Sequence, residues 1–201
     1  MKRRTLAILI ALLTLGICAI VVAAILHDGL SSRATPSHLE TMIARQARHI
    51  SIPSSARARS NPVPVTEENL SEARLHFADH CAICHGNDGS GKTMMGEGMY
   101  PKPPDLRLAE TQNLTDGEIF WIIEEGVRFT GMPAFSGHGP SDSSWKLVSF
   151  IRHLPQLTTA ERMEMEKSNP KGPDDRKEEQ EENDFLNGTA PKSPPTEHVH
   201  H

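Results

Sequence analysis

Aromatic side chains make up only 4% of this 201-residue chain: six Phe, two Trp and one Tyr. Hydrophobic residues of all kinds reach 37%, too lean for a packed core along the whole length. A folded part must therefore be small, or must borrow apolar volume from something else. Basic residues are not interleaved with aromatics, so a nucleic-acid surface of that kind is excluded. There are three cysteines, Cys18, Cys81 and Cys84, fewer than a four-thiolate zinc site takes. Internal repeats are absent. The net charge of −5 is modest, but its distribution is uneven. Residues 65–158 carry 7 Lys/Arg against 13 Asp/Glu, a net of −6. Residues 27–64 carry five Arg against Asp28 and Glu40, a net of +3.

What the chain does have is Cys81-Ala82-Ile83-Cys84-His85. A C-x-x-C-H run is the attachment pattern of a c-type haem. Two thiols three positions apart lie on one side of a helical turn, so both can add to the vinyl groups along one porphyrin edge. His85 then presents its imidazole to the iron. Two plainer readings are a C-x-x-C redox pair and half of a zinc site. The zinc reading needs further ligands, and Cys18 lies in an apolar segment. The redox reading wants a strand before the motif, within a βαβ pattern, and none is visible.

The amino-terminal stretch begins Lys2-Arg3-Arg4 and runs without charge from Thr5 to Leu26. About 20 apolar residues suffice for a helix to cross a bilayer. Positive charge on the amino side holds that end in the cytoplasm and places the remainder of the chain outside. The alternative is a cleaved signal peptide, with Val22-Ala23-Ala24 as the small-residue site. The apolar run is longer than a usual signal segment, which favours an uncleaved anchor over residues 1–26. Leu15-Gly16-Ile17-Cys18 resembles a lipoprotein site only superficially, since Ile17 is too large before the cysteine. Export agrees with the haem motif, because bacteria attach this cofactor outside the cytoplasmic membrane.

Residues 27–64 read as a basic linker with one short amphipathic helix. Ser37-x-x-Glu40 is a capping box, and Leu39, Met42, Ile43 and Ile50 stand at helical spacing after it. The helix is suited either to the membrane surface or to the side of a domain. The run of Ser, Pro and Arg from Ser51 to Pro64 predicts an extended linker. The folded unit is expected over 65–158. Thr66 caps a first helix whose stripe of Leu70, Ala73, Phe77 and Ala78 leads into Cys81. A Gly-, Lys- and Met-rich loop runs from Gly86 to Pro104. Thr115 and Glu118 form a capping box for a second helix through Ile119, Ile122 and Ile123, stopped at Gly126. A last helix starts at Ser141 or Asp142 and runs through Trp145, Leu147, Val148, Phe150, Ile151 and Leu154 to Pro155. Residues 159–201 read as a charged tail: a short helix capped by Thr158 and Glu161, then a Glu-, Lys-, Asp- and Pro-rich stretch with the composition of disorder. His198, His200 and His201 make a His-rich tract whose choice lies between metal binding and a solvated end.

A six-coordinate electron-transfer haem takes a second ligand, often Met. Met132 stands in Phe129-Thr130-Gly131-Met132-Pro133-Ala134-Phe135, past the second helix, which leaves chain enough to pass round a porphyrin edge. Gly131 removes bulk beside the ring and Pro133 stiffens the turn. The plainer reading is that Met132 fills a core gap. Met94, Met95 and Met99, close after His85, are expected to pack or to be exposed. His76, His80 and His138 are expected at the surface or as caps.

From about Val65 to Leu157 the chain resembles class I cytochrome c domains, especially the c-haem modules of haem-copper oxidases. The resemblance rests on Cys81-x-x-Cys84-His85-Gly86, Pro103-Pro104-Asp105-Leu106, Gly131-Met132-Pro133-Ala134-Phe135 and Trp145 at the start of the last helix. It implies an all-α, small class I cytochrome c fold around one covalent haem c per chain; the transmembrane helix expected before it is read from the apolar run and lies outside the resemblance, as does the tail. It also implies that the Pro104 carbonyl accepts the Nδ1–H of His85, an outer contact that fixes the imidazole, and that Leu106 packs on the haem face. The family's first helix usually has glycine where it crosses the last; Ala73 is the nearest small residue here, so a slightly wider crossing is expected.

The resulting expectation is a non-enzymatic, single-pass protein of the bacterial inner membrane with its haem domain in the periplasm. His85 and Met132 would be the axial ligands and Cys81 and Cys84 the covalent attachments. Periplasmic donor and acceptor proteins would exchange single electrons with it. Lys92, Lys102, Arg107 and Arg128 are candidates to ring the haem edge, although the domain's net acidity suits a basic partner as well. The alternatives are a redox or gas sensor in which Met132 dissociates, and an electron-transfer subunit of a larger dehydrogenase or oxidase.

Overall fold

The structure, a computed structural model, describes residues 2–28, 31–137 and 141–170, with the isolated positions 181, 184 and 186. The expectations for His138, for the stretch from Lys171 and for His198, His200 and His201 lie outside the described residues. Among the described residues every regular element is helical and there is no strand. Helix α1 (Lys2–Asp28) contains the apolar window Arg3–Ala24, with mean hydropathy 3.0 and no part of it buried. At 1.5 Å per residue those 22 residues are long enough to cross a hydrocarbon core of about 30 Å.

Helix α2 (His38–Ser51) begins where its sequence signature puts it, with the Ser37 hydroxyl accepting the Glu40 backbone N–H at 3.2 Å. The next stretch differs from the extended linker expected of it. Ile52 is only 1% exposed, and α3 (Ser54–Arg57) adds one helical turn. Asn61 donates to the Trp145 carbonyl and to the Ser149 hydroxyl, both at 2.9 Å. The Arg59 guanidinium lies 4.4 Å over the Phe120 ring and 5.0 Å from the Trp145 ring. Proline and serine thus specify a strap wound onto the domain. Their missing helical periodicity reflects irregular backbone, not absence of contact.

Helix α4 (Glu67–His76) is capped by Thr66 and gives way to a widened turn over Phe77–Cys81. There the Ala82 N–H reaches back five residues to the Phe77 carbonyl. Such wide turns re-aim the residues after them and recur at functional sites. Helix α5 (Ala82–His85) comes next, then the single-turn helices α6 (Met94–Glu97) and α7 (Ala109–Gln112). Helix α8 (Asp116–Glu125) has the full reciprocal box between Thr115 and Glu118 and ends at Gly126, φ 67°. Helix α9 (Ser141–His153) runs into a tight turn over Leu154–Gln156 that contains Pro155. Helix α10 (Thr159–Ser168) has a second full capping box, Thr158 with Glu161.

Helices α4 and α9 make the main crossing of the fold. Ala73 is 2% exposed there, Val148 is fully buried, and the Phe77 and Phe150 rings stand 5.2 Å apart. Phe120 of α8 stacks on Trp145 of α9 at 4.0 Å. Burying one such ring stabilises by about 2 kcal/mol, so four aromatics at two contacts go far in a chain with nine. Helix α10 packs on α4 and the widened turn with Met165, fully buried. Arg74 reaches from α4 to Glu161 at 3.2 Å and to Glu164 at 2.7 Å.

Candidate haem site

The site starts at the widened turn. Cys81 closes that turn, and Ala82–His85 continues as one helical turn, so the two thiols and the imidazole come from four consecutive positions plus one. Both thiols are free. Burial, with Cys84 nearby, pushes the Cys81 thiol up to about 12. Burial raises the Cys84 thiol as well. Neither is the low-pKa thiolate that a redox pair uses, and among the described residues no group of three metal-ligating side chains forms. The two plainer readings of the motif therefore find no support in its surroundings.

His85 lies with its ring 6.5 Å from the Phe77 ring. Burial disfavours its protonated form, and the Pro104 carbonyl is the neighbour that opposes that effect. Even so, Nδ1 is buried and closes no properly aligned hydrogen bond. A buried polar nitrogen without a partner is uncommon in a finished site. The Pro104 carbonyl, which the resemblance assigns to it, is the backbone acceptor beside this ring.

Several contacts hold the surrounding loop against the motif. The Gly91 N–H donates to the His85 carbonyl at 2.7 Å. Thr93, which caps α6, donates from its hydroxyl to the Ile83 carbonyl at 2.8 Å and to that of Cys84 at 3.2 Å. Leu106 is 8% exposed; its N–H donates to Gly89 and its carbonyl accepts from Gln112 at 2.7 Å. Gln112 also donates to the Ile151 carbonyl at 2.9 Å, tying this loop to α9. Sequence reasoning missed Thr93 and Gln112. The Thr93-x-x-Gly96 cap was readable, whereas Gln112 acts through tertiary distance alone.

Met132 is half-buried in the loop after α8. That loop is fastened to the helix end by Val127 N–H to Met132 carbonyl, 3.1 Å, and Phe135 N–H to Ile123 carbonyl, 3.1 Å. Phe129 takes the left-handed φ of 61° and is 89% exposed, under the Arg128 guanidinium at 5.0 Å. A Cβ on Gly131 would come within 2.8 Å of the Met99 sulfur. The motif, α6, Met99 and the Met132 loop are thus in one chain of contact, because Gly96 similarly lets the Cys84 carbonyl approach. Met94 is 94% exposed and Met95 47% exposed. Met99 is the loop methionine that packs.

Of the four cations proposed to ring the site, two are already engaged. Arg107 pairs with Asp105 at 2.7 Å and with Asp88 at 3.1 Å, and Lys102 pairs with Glu97.

An all-helical unit with a C-x-x-C-H turn, a supporting proline carbonyl and a methionine loop defines a c-type cytochrome domain. Residues 68–151 match the family model described as cytochrome C oxidase, cbb3-type, subunit III. This stretch of the chain is therefore a class I cytochrome c domain of the kind found in haem-copper oxidases, which carries covalent haem c and transfers electrons. The match covers under half of the chain and includes neither α1, α2, the strap nor α10. A comparison with curated proteins finds no match.

Proposed function

We propose that the chain is a membrane-tethered monohaem c-type cytochrome that shuttles single electrons between periplasmic respiratory partners and performs no substrate chemistry itself. Haem iron, when bound, supplies a one-electron Fe(III)/Fe(II) couple. Cys81 and Cys84 would hold it covalently, His85 and Met132 would ligate its iron, and Pro104 and Leu106 would orient the imidazole and cover the ring. With both ligands supplied by protein, the iron would serve electron transfer and leave no place for a substrate. The observation that carries this reading is His85 itself, whose buried Nδ1 closes no aligned hydrogen bond and has the Pro104 carbonyl as its backbone neighbour. The apolar helix α1, preceded by positive charge, supports a single pass with the domain outside the inner membrane.

A second reading is favoured by the family description, which names a subunit of an oxidase. There the same domain feeds electrons within one stable complex. One preparation separates them. Membranes containing the full chain are extracted in mild detergent, and the haem-stained band is sized and titrated. A freely diffusing carrier gives a band of monomer size, a single one-electron wave and reduction by respiring membranes. Co-migration with an oxidase makes the chain a subunit. Haem released by acidified organic solvent, or two haems per chain, overturns the site assignment.

A further inference from the structure

Helix α2 is amphipathic in the reverse of the usual sense. At 100° per residue, Leu39, Ile43 and Ile50 fall within about 40° of one another, with Met42 flanking them. These four are 60%, 57%, 71% and 54% exposed. Thr41 and Arg48, on the opposite side of the helix, are the residues turned inward. Polar contacts hold that inner side and the two flanks of the helix to the domain. Arg45 makes a two-pronged pair with Glu110 at 2.6 and 2.5 Å. The Tyr100 hydroxyl donates to Glu40, and His49 lies 3.2 Å from Glu118. Ile52, directly after the helix, is buried and pins its end. A helix whose only purpose was to pack on the domain would turn its leucine and isoleucines inward.

We infer that α2 lies on the membrane, its apolar face in the outer boundary of the bilayer and its polar face carrying the cytochrome domain. This rests on the reading of α1 as an anchor. Three observations select lipid as the occupant. Only residues 29–37 separate α1 from α2, a reach of about 30 Å at full extension, so the helix begins beside the bilayer. The segment 27–64 carries five Arg against two acidic residues; Arg45, Arg48 and Arg59 are turned to the domain, while Arg33, exposed in the short connection before α2, suits anionic headgroups. The four apolar side chains form one stripe with polar flanks, the pattern of interfacial helices that sink roughly 5–10 Å into the headgroup region. A consequence is a fixed attitude for the domain. The face bearing Tyr100, Glu110 and Glu118 is turned to the membrane, and electron partners must approach from elsewhere.

The test uses the full haem-loaded chain, with Cys18→Ser, in vesicles of phosphatidylethanolamine and phosphatidylglycerol. A fluorophore is placed through Ile43→Cys, and in a separate sample through Met163→Cys on α10, an exposed residue of a helix that packs on α4 and the widened turn. Brominated lipid chains should quench the label at position 43 at least twofold more than that at position 163, with iodide in the buffer showing the opposite order. Labels through Leu39→Cys and Ile50→Cys should behave as position 43 does. Equal iodide quenching at 43 and 163 overturns the inference while leaving the anchor intact, provided the chain survives a carbonate wash. Shielding of position 43 from both quenchers also overturns it, since a protein surface then covers the stripe. Loss of the chain in the carbonate wash removes the anchor reading and this inference with it.

Discussion

At the scale of single residues, the most telling pair is Met132 and Met99. Sequence spacing points to Met132, and Met99 was legible only as one methionine of a loop, since its contact with Gly131 depends on how that loop folds. Met132→Ala should abolish the weak long-wavelength sulfur-to-iron band of the oxidised protein, open the iron to CO and lower the potential, because a thioether favours Fe(II). Met99→Ala should keep the band and cost about 1–2 kcal/mol of stability by leaving a gap beside Gly131. Ready CO binding by the unmodified protein would put the sensor reading first. Glu161 gives a second residue-scale prediction. Burial alone would raise its carboxyl, but the Thr158 N–H and hydroxyl and the His153 ring bring it down to about 2. A carboxylate depressed in the folded state stabilises fully above its ordinary value, near 4.5, and the gain is lost as pH falls through about 2. Thermal melts from pH 5 to pH 2 should show that decline. Glu161→Gln should flatten it and cost about 2 kcal/mol at neutral pH, leaving Arg74 buried with a partner missing.

At the scale of elements, what local chemistry specifies was readable and what tertiary contact specifies was not. The boxes at Thr115–Glu118 and Thr158–Glu161 fall where the spacing put them, because a cap closes within four residues. The widened turn over Phe77–Cys81 left no such mark: Phe77 and Ala78 read as an ordinary helical stripe, and the turn is seen only in the folded chain, where Phe77 packs against Phe150. The strap of residues 52–61 was hidden for a related reason. Its one large apolar residue is Ile52, and Asn61 and Arg59 act across gaps of more than 60 positions. Even its closest contact depends on a partner's missing side chain, since a Cβ on Gly117 would meet the Ala56 and Arg59 carbonyls. Ile52→Ala should therefore destabilise the haem-loaded chain by about 2–4 kcal/mol, although it lies outside the family match. A denaturation midpoint equal to that of the unmodified chain would show that the strap is not docked in solution.

At the scale of the molecule, the cytochrome domain carries additions on both flanks, and they do different work. The amino-terminal side supplies an apolar helix long enough to cross a bilayer, the amphipathic helix α2 and a strap that ends on Trp145. The carboxyl-terminal side supplies α10, which buries Met165 against the domain and gives Arg74 its two carboxylates. Composition alone assigned most of this flank to a solvated tail, since Glu161, Glu164, Glu166 and Lys167 outnumber the apolar residues of α10. One buried methionine and one buried arginine are enough to reverse that for residues 159–168. Ending the chain after Pro170 should leave the haem spectrum and the thermal midpoint unchanged, because buried Met165, the Thr158–Glu161 cap and both carboxylates of Arg74 are kept. Ending it after Leu157 should preserve the spectrum, as Cys81, Cys84, His85 and Met132 all remain. It should also lower the midpoint by roughly 10 °C or more, for a loss of about 3 kcal/mol in a domain near 100 residues. The deficit should be largest at neutral pH and shrink toward pH 2, where the full chain too has lost the Glu161 charge. Equal midpoints for the two truncations would mean that α10 does not hold Arg74, and that the acidic flank is solvated from Thr158 onward.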